Sequence, residues 1–376
     1  MKINLQTKIA IIYMNKVIKI GKRKIGEGNP TFIVAEMSAN HEQNYRKAEA
    51  IVRAAARAGA DAIKVQTFTP DTMTLNSRKK WFFVGGKDNP KTWKGQTFYD
   101  LYKKAYMPWH WQPKLQKLAH KLGLEFFSAP FDETAVDFLE KMRVPCYKIA
   151  AYESTDFLLL RKVAKTKKPI IVSVGFSTLP EVSFTIKTLR KYGAKDIVVL
   201  QCPTSYSKKP IPEKTNLNTM LDIKKRFKVE VGLSDNMGGI EVPALAAKMG
   251  ASVIEKHLVL KHGSRALDDR FSLDPKEFKR MVQKIRKQEE EKRWRKKVLG
   301  KVSYGPQTPA EKYNRNFRRS LFISKDVNIG EKFSKNNVKS VRPAYGLPTR
   351  YYDRIIGKKA RKTIEAGTPL SWRLVK

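Results

Sequence analysis

The stretch Val229–His257, VEVGLSDNMGGIEVPALAAKMGASVIEKH, carries the densest run of side chains able to do chemistry. It reads as a buried strand, Val229–Leu233, that ends in Ser234, Asp235 and Asn236. A Gly-Gly turn and a short apolar helix lead to a second strand ending in Glu255, Lys256 and His257. Strands that deliver polar groups at their carboxyl ends are characteristic of a parallel α/β sheet, which places its active site at that end. The imidazole of His257 and the amide oxygen of Asn236, on neighbouring strand ends, suit a hard or borderline divalent ion.

Similar endings recur upstream and just beyond. They are Glu36, Lys64 with Gln66, Lys148 with Glu153, Ser173, Thr204 with Tyr206, and finally Asp268. Each alone has a plain explanation: a strand lysine snorkels, and a lone histidine is a satisfied rim residue. Together they carry more weight. Two inward lysines must be compensated, because an unpaired buried charge costs several kcal/mol. Lysines with hydroxyls make a phosphate cradle, while Glu36, Glu153 and Asp268 can bind sugar hydroxyls or move protons.

The elements that must position these groups are short β-branched runs alternating with amphipathic helices. Predicted strands cover Phe32–Met37, Ala62–Phe68, Leu124–Ser128, Val144–Ile149, Pro169–Val174, Ile197–Leu200, Val229–Leu233 and Val253–Lys256. Predicted helices include Tyr45–Ala58, Trp109–Leu122 and Pro275–Glu291. Eight strand–helix units in series indicate a (β/α)8 barrel, with an open doubly wound sheet as the alternative. Thr69–Pro108 reads as a long loop over the pocket mouth, and Arg293–Asn316 as a charged linker. Beyond it, Val327–Phe333 (VNIGEKF) echoes Ile364–Leu370 (IEAGTPL), which suggests a small pseudo-symmetric β-rich domain. The expected divisions are 1–29 as lead-in, 30–292 as barrel, 293–316 as linker and 317–376 as the small domain.

Composition bounds the function classes. The chain has 376 residues, two cysteines and a formal charge of +41. The cysteines, Cys146 and Cys202, fall in separate predicted strands, which argues against a disulfide framework and fits a reducing cytoplasm. No apolar run approaches the roughly 18 residues that span a bilayer. Met1–Tyr13 holds a short apolar patch without a clear cleavage site and reads as a mis-called start or a loose extension. The charge is spread through the chain and lacks an aromatic-interleaved platform, so a lysine-rich surface is favoured over a nucleic-acid partner.

A family resemblance rests on several of these segments. Phe32–His41 (FIVAEMSANH), Lys64–Thr67 (KVQT), Tyr147–Ala150 (YKIA), Gly232–Asp235 (GLSD) and Glu255–His257 (EKH) resemble the sialic acid synthase family. Phe271–Pro275 and Phe317–Ser320 continue the likeness. Within the family, Ala35–Ser38 (AEMS), Pro70–Leu75, Tyr99–Tyr102, Phe131–Phe138 and Arg342–Leu347 are most similar to the pseudaminic acid synthases. The resemblance runs from about Pro30 to the C-terminus and implies a TIM barrel followed by a SAF (antifreeze-like) domain.

It also implies an activity. Phosphoenolpyruvate condenses with an acetamido hexose, in this branch 2,4-diacetamido-2,4,6-trideoxy-L-altrose, with C–O cleavage and release of phosphate. The resemblance gives Lys64, Lys148, Ser173 and Ser234, with Gln66 and Thr204 beside them, to phosphoenolpyruvate. Glu36, Glu153, Asp268 and Glu255 would serve catalysis, and Tyr206 and Arg342 the sugar. His257 and Asn236 would hold Mn2+ or Mg2+. Arg342 would reach across a domain-swapped homodimer. Synthesis of N-acetylneuraminate or legionaminate, or a catalytically weakened sugar-binding role, are the alternative functions. The chain departs from the family pattern at Asn236, where histidine is usual, at Ala129 and Ala151, where hydroxyl residues are common, and in Pro203–Ser205. Each departure alters a phosphate or metal contact.

Overall fold

A computed structural model describes residues 17–86, 93–289 and 292–376. The Met1–Tyr13 extension and the last two residues of the predicted helix Pro275–Glu291 lie outside the described residues. In the lead-in, β1 (Ile18–Ile20) and β2 (Arg23–Ile25) form an antiparallel hairpin. Its Ile18, Ile20 and Ile25 pack on Phe32, Val34, Ala62, Phe127, Cys146 and Val253, residues near the strand beginnings. Each buried isoleucine contributes about 1.5–3 kcal/mol, so this short hairpin acts as a plug across the amino-terminal end of the barrel.

Eight parallel strands close the barrel: β3 (Phe32–Glu36), β4 (Ala62–Thr67), β5 (Glu125–Pro130), β6 (Tyr147–Ile149), β7 (Ile170–Ser173), β8 (Ile197–Gln201), β9 (Glu230–Asp235) and β10 (Val253–His257). β10 pairs with β3, which completes the ring and rules out the open sheet. The strands match the expected runs within a few residues. Amphipathic helices follow. Tyr45–Arg57 buries Ala48, Ile51, Val52, Ala54 and Ala55, and Asn44 caps it by accepting from the Lys47 amide. Asp274 and Glu277 form a capping box at the start of Pro275–Arg286.

Two segments expected to lack structure are folded. Thr69–Pro108 includes the helices Pro70–Met73 and Phe98–Ala105, and it packs on the small domain through Phe82 and Phe322. Arg293–Asn316 carries most of the helix Lys292–Leu299 and all of Pro309–Asn314. Backbone bonds from Leu217 to Val298 (3.0 Å) and from Gly305 to Ser177 (2.8 Å) hold this segment on the barrel. Mixed Trp, Gly and Lys content hides such short helices, which are stabilised by docking rather than by their own periodicity.

In the small domain β11 (Ser320–Ile323) pairs with β12 (Val338–Val341). The two repeats meet directly. Val327 and Ile364 exchange both backbone hydrogen bonds, at 2.9 and 2.8 Å, and Gly330 and Gly367 share φ +78°. The pseudo-symmetry inferred from VNIG and IEAG is thus a physical pairing of equivalent turns. Among the described residues, no helix is long and apolar enough to cross a membrane.

Candidate active site

Alternation along each strand decides which groups face the barrel axis. Glu36, Lys64, Lys148, Ser173, Ser234, Glu255 and His257 all line one cavity of about 160 Å³ at the carboxyl ends. Their neighbours of opposite parity point outward; Lys256, for example, is buried in an ion pair with Asp235 at 2.6 Å. Register sets the lateral order. His257 lies opposite Glu36, Glu36 opposite Lys64, and Glu255 opposite Ser234.

The floor of the cavity is a buried network of alternating charge. Lys64 Nζ lies 2.6 Å from Glu36 and 3.6 Å from Glu255. Lys148 Nζ lies 3.6 Å from the other oxygen of Glu255 and donates to Ser173 Oγ at 2.8 Å. Ser234 Oγ donates to Glu255 at 2.9 Å. Burial pushes the Glu255 carboxyl up, but the two lysines outweigh it and hold it below its ordinary value. Burial raises Glu36 despite the pull of Lys64, so Glu36 is the carboxyl of the pair with the higher proton affinity. Burial lowers Lys148 despite Glu255, whereas the two carboxylates overcome burial at Lys64 and raise it. Two lysines and two carboxyl groups offset one another across the floor. An entering polyanion upsets that balance, and the proton affinity of Glu36 provides one means of restoring it.

One wall is polar. Gln66 Nε2 donates to Glu36 at 2.8 Å and to Ser38 Oγ at 2.9 Å, and Ser38 lies 2.5 Å from Asp268. Burial pushes Asp268 up, against its hydrogen bond from Ser38. Another part of the lining is aromatic and apolar. Tyr206, left-handed at φ +48°, sits between Trp93 (5.7 Å) and Phe271 (4.8 Å), with Tyr102, Tyr152 and Phe317 completing the surface.

His257 suits a metal. Its Nδ1 is buried without a hydrogen-bond partner, and burial, with Lys64 nearby, pushes its pKa down to about 3, leaving the imidazole neutral. Asn236 lines the same cavity, but its Nδ2 lies 3.3 Å from Cys202 Sγ, so the amide carbonyl is the end left for an ion. A free imidazole nitrogen and an amide oxygen fit a borderline or hard divalent cation. The compact group His262, Asp274 and Glu277 is a separate surface cluster. Its two carboxylates are already occupied in capping the following helix.

Three of the expected site residues take partners that the sequence did not indicate. Glu153 is fully buried behind Arg342 and is not part of the cavity wall, because Arg342 Nη2 and Nε take its Oε1 at 2.6 and 3.1 Å. Thr204 reaches the cavity, yet its amide donates to Glu311 at 2.8 Å and its hydroxyl lies 3.4 Å from the same oxygen. Glu311 belongs to the supposed linker. Arg342 enters the cavity of its own chain, where its backbone bonds Met73 and its guanidinium meets Tyr102, Phe131 and Tyr152. Ala151 lines the cavity beside Tyr152, and Ala129 packs in the apolar cluster with Phe68 and Phe131, so neither side chain supplies a polar contact. Sequence reasoning did not single out Ser38, Trp93, Tyr102, Cys202 or Phe317. The AEMS, Tyr99–Tyr102 and Phe317–Ser320 segments hinted at three of them, Ser38, Tyr102 and Phe317.

A closed (β/α)8 barrel with paired lysines and carboxylates at its mouth, capped by a small β-rich domain, defines a class of two-domain barrel proteins. The chain belongs to the NeuB family, which it matches over residues 51–297, and carries a SAF domain over 318–376. It is 41% identical to the pseudaminic acid synthase of Campylobacter jejuni subsp. jejuni serotype O:23/36, over 90% of this chain and 95% of that protein. It is also 41% identical to the pseudaminic acid synthase of Helicobacter pylori, over 91% and 97% respectively. The N,N'-diacetyllegionaminic acid synthase of Legionella pneumophila is 33% identical over 94% of this chain and 96% of its own. Among solved structures, the spore coat polysaccharide biosynthesis protein SpsE of Bacillus subtilis superposes with a TM-score of 0.81 at 29% identity, covering 96% of this chain and 99% of that one.

Proposed function

We propose that this chain is a pseudaminic acid synthase, a transferase that condenses phosphoenolpyruvate with 2,4-diacetamido-2,4,6-trideoxy-L-altrose to give pseudaminic acid and phosphate. The observation that carries this reading is the buried floor: Lys64 and Lys148 flank Glu255, with Ser173 and Ser234 as hydroxyl partners. Two cations and two hydroxyls suit a molecule with a phosphate and a carboxylate. The similarity to pseudaminic acid synthases over nine-tenths of the chain supports the choice of sugar.

In this reading the lysines orient phosphoenolpyruvate, and Gln66 and Asp268 hold hydroxyls of the open-chain hexose. Tyr206 offers an apolar face to the sugar. Thr204 shapes the wall from its place on Glu311, and Arg342, fixed by Glu153, closes the far side. C3 of phosphoenolpyruvate bonds to the aldehyde carbon, whose oxygen takes up a proton. Water adds at C2 and gives up one proton, and as the C2–O bond to phosphate breaks the second proton passes from the C2 hydroxyl to the leaving phosphate, leaving a ketone. Glu36, with its raised proton affinity beside Lys64, is the group placed to exchange a proton at the aldehyde oxygen. Glu255 keeps both lysines charged. His257 and the Asn236 carbonyl would hold Mn2+ or Mg2+, which supplies Lewis-acid polarisation of the aldehyde. The enzyme works as a cytoplasmic homodimer in this account. If the small domains are exchanged, Arg342 and Glu153 make the same contact from two chains.

The test is phosphate release from phosphoenolpyruvate with a panel of acetamido hexoses and Mn2+, read together with product mass. Release with the L-altrose derivative and an 18O label carried from C2 of phosphoenolpyruvate into phosphate is expected. Faster turnover of the legionaminate or neuraminate precursor would reassign the sugar. Sugar binding without any phosphate release would leave a non-catalytic binding protein.

A further inference from the structure

Ser38 stands two residues beyond β3, is 7% exposed and has φ +45°. Glycine adopts this left-handed backbone freely, whereas a residue with a Cβ meets a cost of about 1–2 kcal/mol. Such strain persists where the surroundings over-determine it, commonly at functional sites. Here the side chain supplies the compensation. Carboxylates only accept and amide NH2 groups only donate. Gln66 Nε2, shared with Glu36, therefore donates to Ser38 Oγ at 2.9 Å, and the one hydroxyl proton goes to Asp268 Oδ2 at 2.5 Å. The Ala39 amide reaches the same Oδ2 at 3.5 Å. Both protons of the Gln66 amide and one oxygen of Asp268 are thereby occupied, and their remaining acceptors, Gln66 Oε1 and Asp268 Oδ1, are left for a ligand in the cavity that both residues line.

We propose that Ser38 is a positioning residue that sets selectivity for the hexose. Its hydroxyl locks Asp268 and Gln66, 202 residues apart in the chain, so that each presents a single acceptor to the hydroxyl and amide donors of an open-chain amino sugar. The proposal rests on the reading of this cavity as a phosphoenolpyruvate–hexose site.

S38G and S38A separate the hydroxyl from the backbone. Both lack Oγ, but glycine relieves the φ cost and alanine retains it. The expected result is a hexose KM raised about tenfold in both variants, as for loss of a hydrogen bond to a charged group. KM for phosphoenolpyruvate stays within twofold. S38G unfolds cooperatively well above the assay temperature, so misfolding does not explain the change. A hexose KM within twofold of the parent in S38G overturns the proposal. A crystal structure of S38G decides the positioning step independently of turnover. Altered Asp268 or Gln66 side-chain conformations support it, and unaltered ones overturn it. A parent protein that releases no phosphate with any hexose removes the functional reading, while the crystal structure still judges the role of Ser38.

Discussion

Arg342 of the SAF domain and Glu153 of the barrel form an ion pair of 2.6 Å, with both side chains almost wholly buried. Burial disfavours the guanidinium charge, but Glu153 outweighs it and raises the Arg342 pKa. Arg319 stands 3.8 Å from Glu153 and from Asp156, so two arginines of the small domain bracket the carboxylates of one barrel loop. The domain contact and the cavity wall are thus the same structure.

Arg342→Ala should therefore damage stability and activity together. Removing one partner of a buried pair costs about 3–5 kcal/mol, because the other charge remains desolvated. Arg342→Ala is expected to lower the unfolding free energy by that amount. Adding Glu153→Gln should recover part of it, with chemical denaturation of the single and double variants as the measurement. Additive losses would mean that the pair is not coupled.

Lys148→Met should spare the fold more than the chemistry, since methionine fills similar volume while removing a buried cation. The expected effect is a KM for phosphoenolpyruvate raised a hundredfold or more, with hexose binding little changed. Steady-state kinetics with each substrate varied checks it. Equal loss for both substrates would move Lys148 from the anion site to the fold.

Asn236→His should tighten Mn2+ binding. The substitution replaces an amide whose nitrogen faces Cys202 with a nitrogen ligand better suited to a borderline ion. Titration calorimetry with Mn2+ alone provides the readout, and unchanged affinity would place residue 236 outside the coordination sphere.

Glu181 predicts an acid limb in stability. Burial pushes its carboxyl up, but the hydrogen bond from Arg315 and the charge of Arg318 outweigh this and hold the pKa down at about 2. A depressed folded pKa contributes stability above the unfolded value, near 4.5, that is lost as pH falls from there towards 2. The contribution is present in full at neutral pH. Glu181→Gln should lose it and flatten the stability profile across that window. An unchanged profile in urea melts at pH 3 to 6 would show that the clamp is solvated.

The buried floor was legible because strand alternation is local. Residues two apart share a face, so Lys64 with Gln66, and Glu255 with His257, were bound to point inward once the strands were located. The count of eight strand–helix units and the VNIG/IEAG repeat likewise depend on short-range pattern, and the barrel and the Val327–Ile364 pairing follow it.

Tertiary structure decided which partner each group takes. Glu153 and Arg342 are 189 residues apart, and Ser38 and Asp268 are 230 apart. No periodicity in the sequence links such positions. Thr204 shows the same limit, since its partner Glu311 lies in a segment whose composition resembled a linker. Side-chain direction follows from the local backbone, whereas desolvation and pairing depend on which distant segments close over a strand end. The sequence by itself determined the inward-facing lysines, carboxylates and His257. Only the folded chain determined that Glu153 is tied to Arg342, that Asn236 turns its amide nitrogen to Cys202, and that Ser38 holds Asp268.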